Sequence, residues 1–171
     1  MNRKKYILGS GKPPEVKPAD MVFVDVVAWD GVDLVFDLEQ PNWPIETGSA
    51  LHLNATHVAE HISNFPTFMD ECHRILSPGG SFYMEVPFAG NVDLAFSDPT
   101  HVRFFTDHTF INYLTVEGVH NFGYVRHAWS ILHIANDGAV IRVHLAPVPD
   151  EYLTDDVLLA LHSIKTVIDE N

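Results

Sequence analysis

Short apolar runs alternate with polar, glycine-containing and proline-containing segments through the first half of the chain. Apolar runs of this kind, bounded by turn residues, are typical of buried strands in parallel sheets. Each run here ends at a glycine or a polar residue, where a strand gives way to a loop. The pattern predicts strands over residues 6–8, 21–24, 32–36 and 50–53.

A helical pattern follows the fourth run. Apolar residues recur at helical spacing from Phe65 to Leu76, and the turn Pro78-Gly79-Gly80 ends the pattern. Cys72 lies on the apolar stripe, so we expect it to be a small buried hydrophobe and not a nucleophile. The next apolar run predicts a fifth strand over residues 82–86.

The last third of the chain changes character. Thr106 is a candidate N-cap for a helix that runs to Leu114. Two β-rich runs, over residues 124–134 and 139–148, then flank Asn136-Asp137-Gly138, which is a hairpin signal. The pattern also predicts an amphipathic helix over 155–168. Parallel strands followed by an antiparallel pair indicate one α/β domain over residues 1–171, with the hairpin and final helix in residues 120–171.

Composition narrows the possible functions. The 171 residues hold 10 Lys+Arg and 23 Asp+Glu, a formal net charge of −13, which makes nucleic acid an unlikely partner. The single cysteine excludes a disulfide framework within one chain. No apolar run approaches the ~20 residues of a membrane span, so we expect a soluble, cytoplasmic protein without a membrane partner. Half of the basic residues precede position 18: Arg3, Lys4, Lys5, Lys12 and Lys17.

Candidate ligand-binding residues follow the predicted strands. In parallel sheets, ligands bind outside the carboxyl ends of the strands, where this chain has Gly9-Ser10-Gly11, Asp25, Asp37 and Asn54. Glycines let the backbone approach a ligand, and a carboxylate after the second strand can accept hydrogen bonds from both ribose hydroxyls. A tight turn followed by ordinary strand-end carboxylates is the alternative reading of the same residues.

The spacing of these residues argues against a dinucleotide site. Asp25 comes fourteen positions after Gly11, whereas the dinucleotide fingerprint has a third glycine and an acid ~20 residues on. Pro13, Pro14 and Pro18 also occupy the stretch where the first crossover helix would lie. We therefore expect that helix to be a remnant or absent.

Several segments together resemble the class I S-adenosylmethionine-dependent methyltransferases, in particular the small branch with a shortened first helix. The resemblance covers residues 6–115. It is specific because the segments occur in the right order, although each alone is weak. The segments are 6–14 with the glycine-rich loop, 22–25, 35–38, 57–80 with the Pro-Gly-Gly turn, and 97–106, which reads Ser-Asp-Pro-Thr-His-Val-Arg-Phe-Phe-Thr.

The resemblance implies a Rossmann-like three-layer sandwich. Its mostly parallel seven-stranded sheet has the order 3-2-1-4-5-7-6 and an antiparallel last strand. It also implies S-adenosylmethionine as the cofactor, with the glycines at its methionine part, Asp25 at its ribose, and Asp37 and Leu38 at its adenine. The implied cofactor-binding residues are Gly9, Ser10, Gly11, Asp25, Val26, Asp37, Leu38, Asn54 and Ala55.

The acceptor side is less defined, because methyl transfer from a sulfonium needs orientation more than a fixed catalytic group. Our candidates are His57, His101 and Arg103, since a histidine can take a proton and an arginine can hold a carboxylate or phosphate. Alternatively, His101 and Arg103 only fix a loop against Asp98. We expect a small-molecule or protein acceptor.

Two other functions compete with methyl transfer. The sequence from His57 to His61 spells H-x-x-E-H, the inverted zinc-protease motif. We expect no metal, because the motif lacks an evident third ligand and Pro66 interrupts its helix. The stronger alternative is a noncatalytic S-adenosylmethionine-binding or assembly module that keeps the fold and has lost turnover.

Overall fold

The structure is a computed structural model that describes residues 4–154. Its seven strands form one sheet in the order β3-β2-β1-β4-β5-β7-β6, in which only the pairings of β7 with β5 and β6 are antiparallel. The predicted α/β fold and strand order are therefore confirmed. The strands are β1 (Lys4–Leu8), β2 (Met21–Asp25), β3 (Leu34–Val35), β4 (Ala50–Thr56), β5 (Leu76–Pro87), β6 (Trp129–Asn136) and β7 (Val140–Pro147).

The helices of the described chain all follow β4. A 3-10 helix over Ala59–His61 leads into α1, whose N-terminus is capped by the Asn64 side chain. Three shorter helices connect β5 to β6, and a second 3-10 helix, Asp150–Tyr152, follows β7. The four α-helices are α1 (Phe65–Ile75), α2 (Val92–Phe96), α3 (Asp107–Tyr113) and α4 (Val116–Phe122).

One face of the sheet carries the hydrophobic core. Alternate residues of five neighbouring strands point to this face and are buried, as the period of two along a strand requires. The pairing places them side by side in rows across the sheet, for example Leu8 beside Ala55 and Met84 beside Val143. The core residues of these strands are Val22, Val24, Tyr6, Leu8, Leu53, Ala55, Phe82, Met84, Val86, Ile141, Val143 and Leu145.

Aromatic contacts join the helices to this face. Phe68 of α1 packs against Phe82 of β5 with ring centroids 6.1 Å apart, and Phe65 packs edge-on against Phe105 at 5.4 Å. Phe105 in turn stacks on Phe110 of α3 at 5.7 Å. Helices α1 and α3 therefore share one continuous core.

The connections among the first three strands contain no helix in the described chain. Residues 9–20 and 26–33 run as turns and irregular backbone, which agrees with the three prolines of the first connection. These crossovers therefore do not supply a helical layer on the opposite face of the sheet. That face carries half-exposed residues, including Lys5, His52 and Tyr83.

Several boundaries differ from those that the sequence predicts: β3 covers only Leu34–Val35 of the predicted 32–36, β4 extends to Thr56, and the largest shifts are at the starts of β5 and β6. Strand β5 begins at Leu76, directly after α1, and not at residue 82. Leu76 pairs with Ala50 and Ser81 pairs with His52, so five positions along β5 correspond to two along β4. Pro78-Gly79-Gly80 therefore forms a bulge within the strand and does not end a loop before it. The first hairpin arm begins at Trp129 and not at 124, since residues 124–128 lie in an irregular segment after α4. The hairpin turn at Asn136-Asp137-Gly138 is confirmed, with Gly138 at φ +85°.

Other predictions concern the chain ends. The predicted helix over 155–168 lies outside the described residues, so the single domain over 1–171 stays a prediction.

Two of the five basic residues before position 18 form ion pairs: Lys5 pairs with Asp20 at 2.8 Å, and Lys17 pairs with Asp33. None of the helices in the described part of the chain is long and apolar enough to cross a membrane.

Candidate functional site: a pocket at the carboxyl ends of the strands

A pocket of about 260 Å³ opens at the carboxyl ends of the parallel strands. It lies between the neighbouring strands β1 and β4. The chain continues from β1 to β2 on one side and from β4 to β5 on the other, which makes this the switch point of the sheet. Ligands of open α/β sheets usually bind at this point. Residues after β1, β2, β3 and β4 all contribute to its wall. The lining residues are Gly9, Asp25, Val26, Asp37, Leu38, Glu39, His57, Val58, His61 and Ile62.

Gly9 brings the loop after β1 close to the segment after β4. Its φ of +59° is in the left-handed region, and a Cβ at this position would lie only 2.6 Å from Cγ2 of Val58. Val58 is buried, so it has little room to move away. The glycine therefore lets the loop after β1 pack directly against Val58 in the pocket wall.

Asp25 ties the second loop to the first. One of its carboxylate oxygens accepts a hydrogen bond from the Gly11 backbone N–H at 2.8 Å, and the other accepts one from the Val27 N–H at 2.9 Å. The side chain is buried at the end of β2 and lines the pocket. Because each carboxylate oxygen has a second lone pair, Asp25 can still accept hydrogen bonds from a diol.

The segment after β3 forms the far wall of the pocket. Asp37 is exposed and accepts a hydrogen bond from the Glu39 N–H at 2.9 Å, while Leu38 turns inward and is buried. Glu39 reaches across to the backbone before α1, where its two oxygens accept from the N–H groups of Ser63 and Asn64. This wall therefore offers an apolar side chain between two acidic ones.

His57 lies at the opening on the β4 side in an uncommon backbone conformation. Its φ is +54°, a region that few non-glycine residues occupy and that is often associated with functional sites. Its Nδ1 lies 3.0 Å from Oε1 of Glu60, and its Nε2 lies 3.5 Å from Oε1 of Glu85. Two carboxylates therefore hold the half-exposed imidazole in place.

Glu85 belongs to a polar network across β5 and β7. Its Oε2 accepts hydrogen bonds from the Tyr83 hydroxyl at 3.0 Å and from Nε of Arg142 at 2.7 Å. Burial and the neighbouring Glu85 carboxylate raise the pKa of Tyr83, so the phenol stays protonated and donates. Arg142 also pairs with Asp137 in the hairpin turn at 2.7 Å. The network fixes the carboxylate that faces His57.

The segment with His101 and Arg103 packs against the 3-10 helix. The Glu60 carbonyl accepts from the N–H groups of Val102 and Arg103, at 2.9 and 3.1 Å. The Arg103 guanidinium donates to the carbonyls of Ile62 and Ser63, and His101 Nδ1 lies 2.8 Å from the Ala95 carbonyl. Asp98 also holds this segment, since its carbonyl accepts from the His101 N–H at 3.2 Å and its carboxylate accepts from Thr100.

The pocket brings together about half of the residues that the sequence predicts for the site. Gly9, Asp25, Val26, Asp37, Leu38 and His57 line it, whereas Ser10, Gly11, Asn54, Ala55, His101 and Arg103 do not. Gly11 still contributes through its hydrogen bond to Asp25. Asn54 and Ala55 lie within β4, which extends to Thr56 and so runs past the predicted strand end at 53.

The wall also includes residues that the sequence did not indicate, namely Glu39, Val58, His61 and Ile62. His61 is part of the H-x-x-E-H sequence, but the helix that this protease motif requires is not formed. His57 precedes a 3-10 helix of only three residues, so His57 and His61 do not share one face of an α-helix. The residues therefore do not have the arrangement of the protease motif.

Comparisons with known proteins agree with this geometry. Residues 21–84, from β2 into β5, match a family model described as a methyltransferase domain. No curated protein matches the sequence significantly.

Solved structures share the fold at low sequence identity. An S-adenosylmethionine-dependent methyltransferase from Mesorhizobium loti is 12% identical, with a TM-score of 0.57 over 84% of this chain and 90% of that one. A possible histamine N-methyltransferase from Thermotoga maritima is 13% identical, with a TM-score of 0.58 over 84% of this chain and 81% of that one.

The trans-methyltransferase CalH, solved in complex with SAH, is 14% identical, with a TM-score of 0.53 over 86% of this chain and 51% of CalH. The chain thus spans about half the length of CalH. The resemblance indicated by the sequence motifs is confirmed: this chain has the fold of the class I S-adenosylmethionine-dependent methyltransferases, and its segment from β2 into β5 matches their methyltransferase-domain model.

Proposed function

We propose that the protein binds S-adenosylmethionine in the pocket and transfers its methyl group to a small-molecule or protein acceptor. The observation that carries the proposal is the meeting of Gly9, Asp25 and Asp37-Leu38 around one pocket at the switch point of the sheet. These residues come from three different loops. Each of these residues suits a different part of the cofactor.

The residues fit the cofactor in chemical terms. Gly9 lines the pocket with backbone that can lie against the methionine part, and Asp25 has free lone pairs for the ribose hydroxyls. Leu38 offers an apolar contact for the adenine, beside the Asp37 carboxylate. Ser10, Gly11, Asn54 and Ala55 then support the loops and the strand behind the pocket, while Val26 completes its wall.

The β4 side of the pocket is proposed to receive the acceptor. The bound cofactor supplies a sulfonium-activated methyl group, so the protein needs to orient the acceptor and, where the acceptor carries a proton, to remove it. His57 is proposed for that step, because it lines the pocket and, among the described residues, only its Nδ1 is engaged in a hydrogen bond, to Glu60 at 3.0 Å. Its Nε2, 3.5 Å from Glu85, is the nitrogen that would take the proton.

His101 and Arg103 are proposed as positioning residues of this side. Their polar groups bind backbone carbonyls at positions 62, 63 and 95, which holds the segment that carries them against the 3-10 helix. They do not line the pocket themselves.

Charge favours a neutral or cationic acceptor. The net charge of −13 and the acidic residues Asp37 and Glu39 in the pocket wall repel phosphate groups, so nucleic acid is a poor acceptor. A cytoplasmic location stays part of the proposal.

Calorimetric titration with S-adenosylmethionine and S-adenosylhomocysteine tests cofactor binding. We expect one site per chain for the wild type and at least a 10-fold loss of affinity for Asp25→Asn, which keeps the shape of the side chain but removes its charge. Asp30→Asn is the matched control, since Asp30 is exposed on the same connection and does not line the pocket. It should bind like the wild type.

Two results would count against the proposal. The absence of binding at millimolar cofactor excludes the function, and equal affinity in Asp25→Asn excludes the assigned site. Tight binding without release of S-adenosylhomocysteine, across a panel of amine, hydroxyl and protein acceptors, would favour the noncatalytic binding module.

A further inference from the structure

A second cluster borders the pocket and has the composition of a metal site. One potential ligand atom of each of Glu60, His61 and His101 lies within 4.8 Å of those of the other two. The three residues come from two segments, the 3-10 helix after β4 and the loop after α2. They are held together by backbone hydrogen bonds from Val102 and Arg103 to the Glu60 carbonyl.

Glu60 is the unusual member of the cluster. It is 1% exposed, and while its Oε1 is 3.0 Å from His57, its Oε2 is buried without a hydrogen-bond partner among the described residues. A buried carboxylate oxygen without a partner is costly, so such an atom indicates a missing ligand. The missing ligand must be a donor or a cation.

The two histidines have the hydrogen-bond pattern of metal ligands. Nδ1 of His101 lies 2.8 Å from the Ala95 carbonyl, and Nδ1 of His61 lies 3.0 Å from Oγ1 and 3.3 Å from the carbonyl oxygen of Thr100. Thr100 is itself fixed, since its hydroxyl donates to Asp98 at 2.6 Å. Protein metal sites commonly orient an imidazole through one nitrogen in this way and leave the other to bind the ion.

We propose that Glu60, His61 and His101 bind a divalent transition-metal ion of the zinc type. Two imidazoles with one carboxylate favour such ions over Mg²⁺ or Ca²⁺, which prefer oxygen ligands alone. Ligand atoms around a tetrahedral zinc lie ~3.4 Å apart, so a pair at the 4.8 Å limit needs to close by about 1.4 Å. This departs from our sequence-based expectation of no metal, because His101 supplies the ligand that the H-x-x-E-H sequence lacks.

The position of the cluster suggests what an ion would do there. His61 lines the pocket, so an ion bound to it has its open coordination positions beside the proposed acceptor space. It could hold an acceptor oxygen or nitrogen, a role that rests on the proposed methyl transfer. Metal binding itself does not depend on that function.

The other histidine cluster of the described chain provides a contrast. In His73, His127 and Asp150, Nε2 of His73 lies 3.0 Å from the Val148 carbonyl and Nδ1 of His127 lies 2.7 Å from Asp150. The two rings are stacked almost in parallel, 4.5 Å apart, so their in-plane lone pairs do not converge on one point. We therefore use this cluster as a negative control.

The test is titration of chelator-stripped full-length protein with Co²⁺, followed by its visible absorption, and then displacement by Zn²⁺. We expect one ion per chain at the cluster and at least a 10-fold loss of affinity in both His61→Ala and His101→Ala. The control variants His127→Ala and His133→Ala should stay within 2-fold of the wild type. Far-UV circular dichroism checks that each variant is folded.

The remaining outcomes are decisive as well. Wild-type protein that binds no Co²⁺ below millimolar concentration, or equal affinity in His61→Ala and His101→Ala, overturns the proposal. A loss confined to His127→Ala also overturns it. If one alanine variant does not fold, Glu60→Gln together with the other variant decides. Asp25→Asn should bind Co²⁺ normally, which separates this proposal from the cofactor proposal.

Discussion

The connections between the early strands and the region after β4 are built differently. The helix-free region, residues 9–49, joins β1, β2, β3 and β4 through turns and hydrogen-bonded loops. In the helix-covered region, residues 50–147, the tilted ring pair Phe68–Phe82 packs α1 onto β5, and the stacked pair Phe105–Phe110 joins α3 to the same core. Both regions contribute to the same pocket, with Gly9, Asp25 and Leu38 from the first and His57 and His61 from the second.

The two regions have different tasks, ligand contact in the first and core packing in the second. The helix-free region supplies backbone groups and carboxylates that can approach a ligand. Few side chains hold its loops in place. One of its loops is clamped onto α1, where Glu71 accepts from the Trp43 N–H at 2.8 Å and pairs with Arg74 at 2.7 Å. Burial alone would raise the pKa of Glu71, but these partners lower it, so the clamp is charged at neutral pH. Since the helices of the described chain and most of its aromatic contacts lie after β4, we expect that region to contribute most of the stability.

The largest expected effect tests where the stability lies. Phe68→Ala should lower the free energy of unfolding by about 3–5 kcal/mol, because Phe68 is fully buried between Trp43, Phe65 and Phe82 and leaves a cavity. Phe23→Ala, at a buried ring of the helix-free region covered by Lys17, should cost less, since its surrounding loop can collapse. Urea unfolding measures both. Equal costs would mean that the two regions pack alike.

A smaller effect tests the contact between the two regions. Gly9→Ala should cost about 1–3 kcal/mol, because it combines a left-handed φ with a Cβ only 2.6 Å from Val58. Gly48→Ala is the matched control, with φ +68° and open space around the new Cβ, so it carries only the backbone cost. Thermal unfolding compares the two, and S-adenosylhomocysteine binding should weaken in Gly9→Ala alone. Identical behaviour would remove Gly9 from the site.

The smallest effect concerns pH. Nε2 of His73 donates to the Val148 carbonyl and so joins α1 to the segment directly after β7. Burial lowers the pKa of His73, and the neighbouring His127 lowers it further. The folded protein therefore binds fewer protons at this site than the unfolded chain, so its contribution to stability is full above pH ~6.5 and is lost as the pH falls towards the folded pKa.

His73→Gln keeps a donor for the carbonyl and removes the titration. Its free energy of unfolding, measured between pH 7.5 and pH 5, should fall less steeply than that of the wild type. The exposed His133→Gln serves as the control and should follow the wild-type curve. Parallel curves for His73→Gln and wild type would show that this group does not contribute.

Local patterns were enough to locate most elements, because each buried strand is a short apolar run and α1 has helical spacing. The strand order came from the family resemblance, since nothing in one run says which neighbour it will pair with. Boundaries failed where tertiary pairing extends a strand, as at Leu76 and Thr56. Propensity cannot show that Pro78-Gly79-Gly80 is a bulge and not the end of a loop.

The site was less predictable than the fold for a physical reason. Asp25 is the last residue of β2 and Asp37 lies two residues after β3, so their positions are set mainly by the sheet. Glu39 and His61 reach the pocket only because long connections fold back over it. Glu60 is buried, and its Oε2 has no hydrogen-bond partner in the part of the chain that the structure describes. Both properties depend on tertiary packing, and the local sequence Ala59-Glu60-His61 carries no sign of them.

The most direct test of the central claim is a crystal structure of the wild-type protein with S-adenosylhomocysteine. We predict the ribose hydroxyls within hydrogen-bond distance of Asp25, the adenine against Leu38, the homocysteine near Gly9, and the sulfur directed towards His57. Electron density for the ligand at another place, or none at millimolar ligand, would contradict the account.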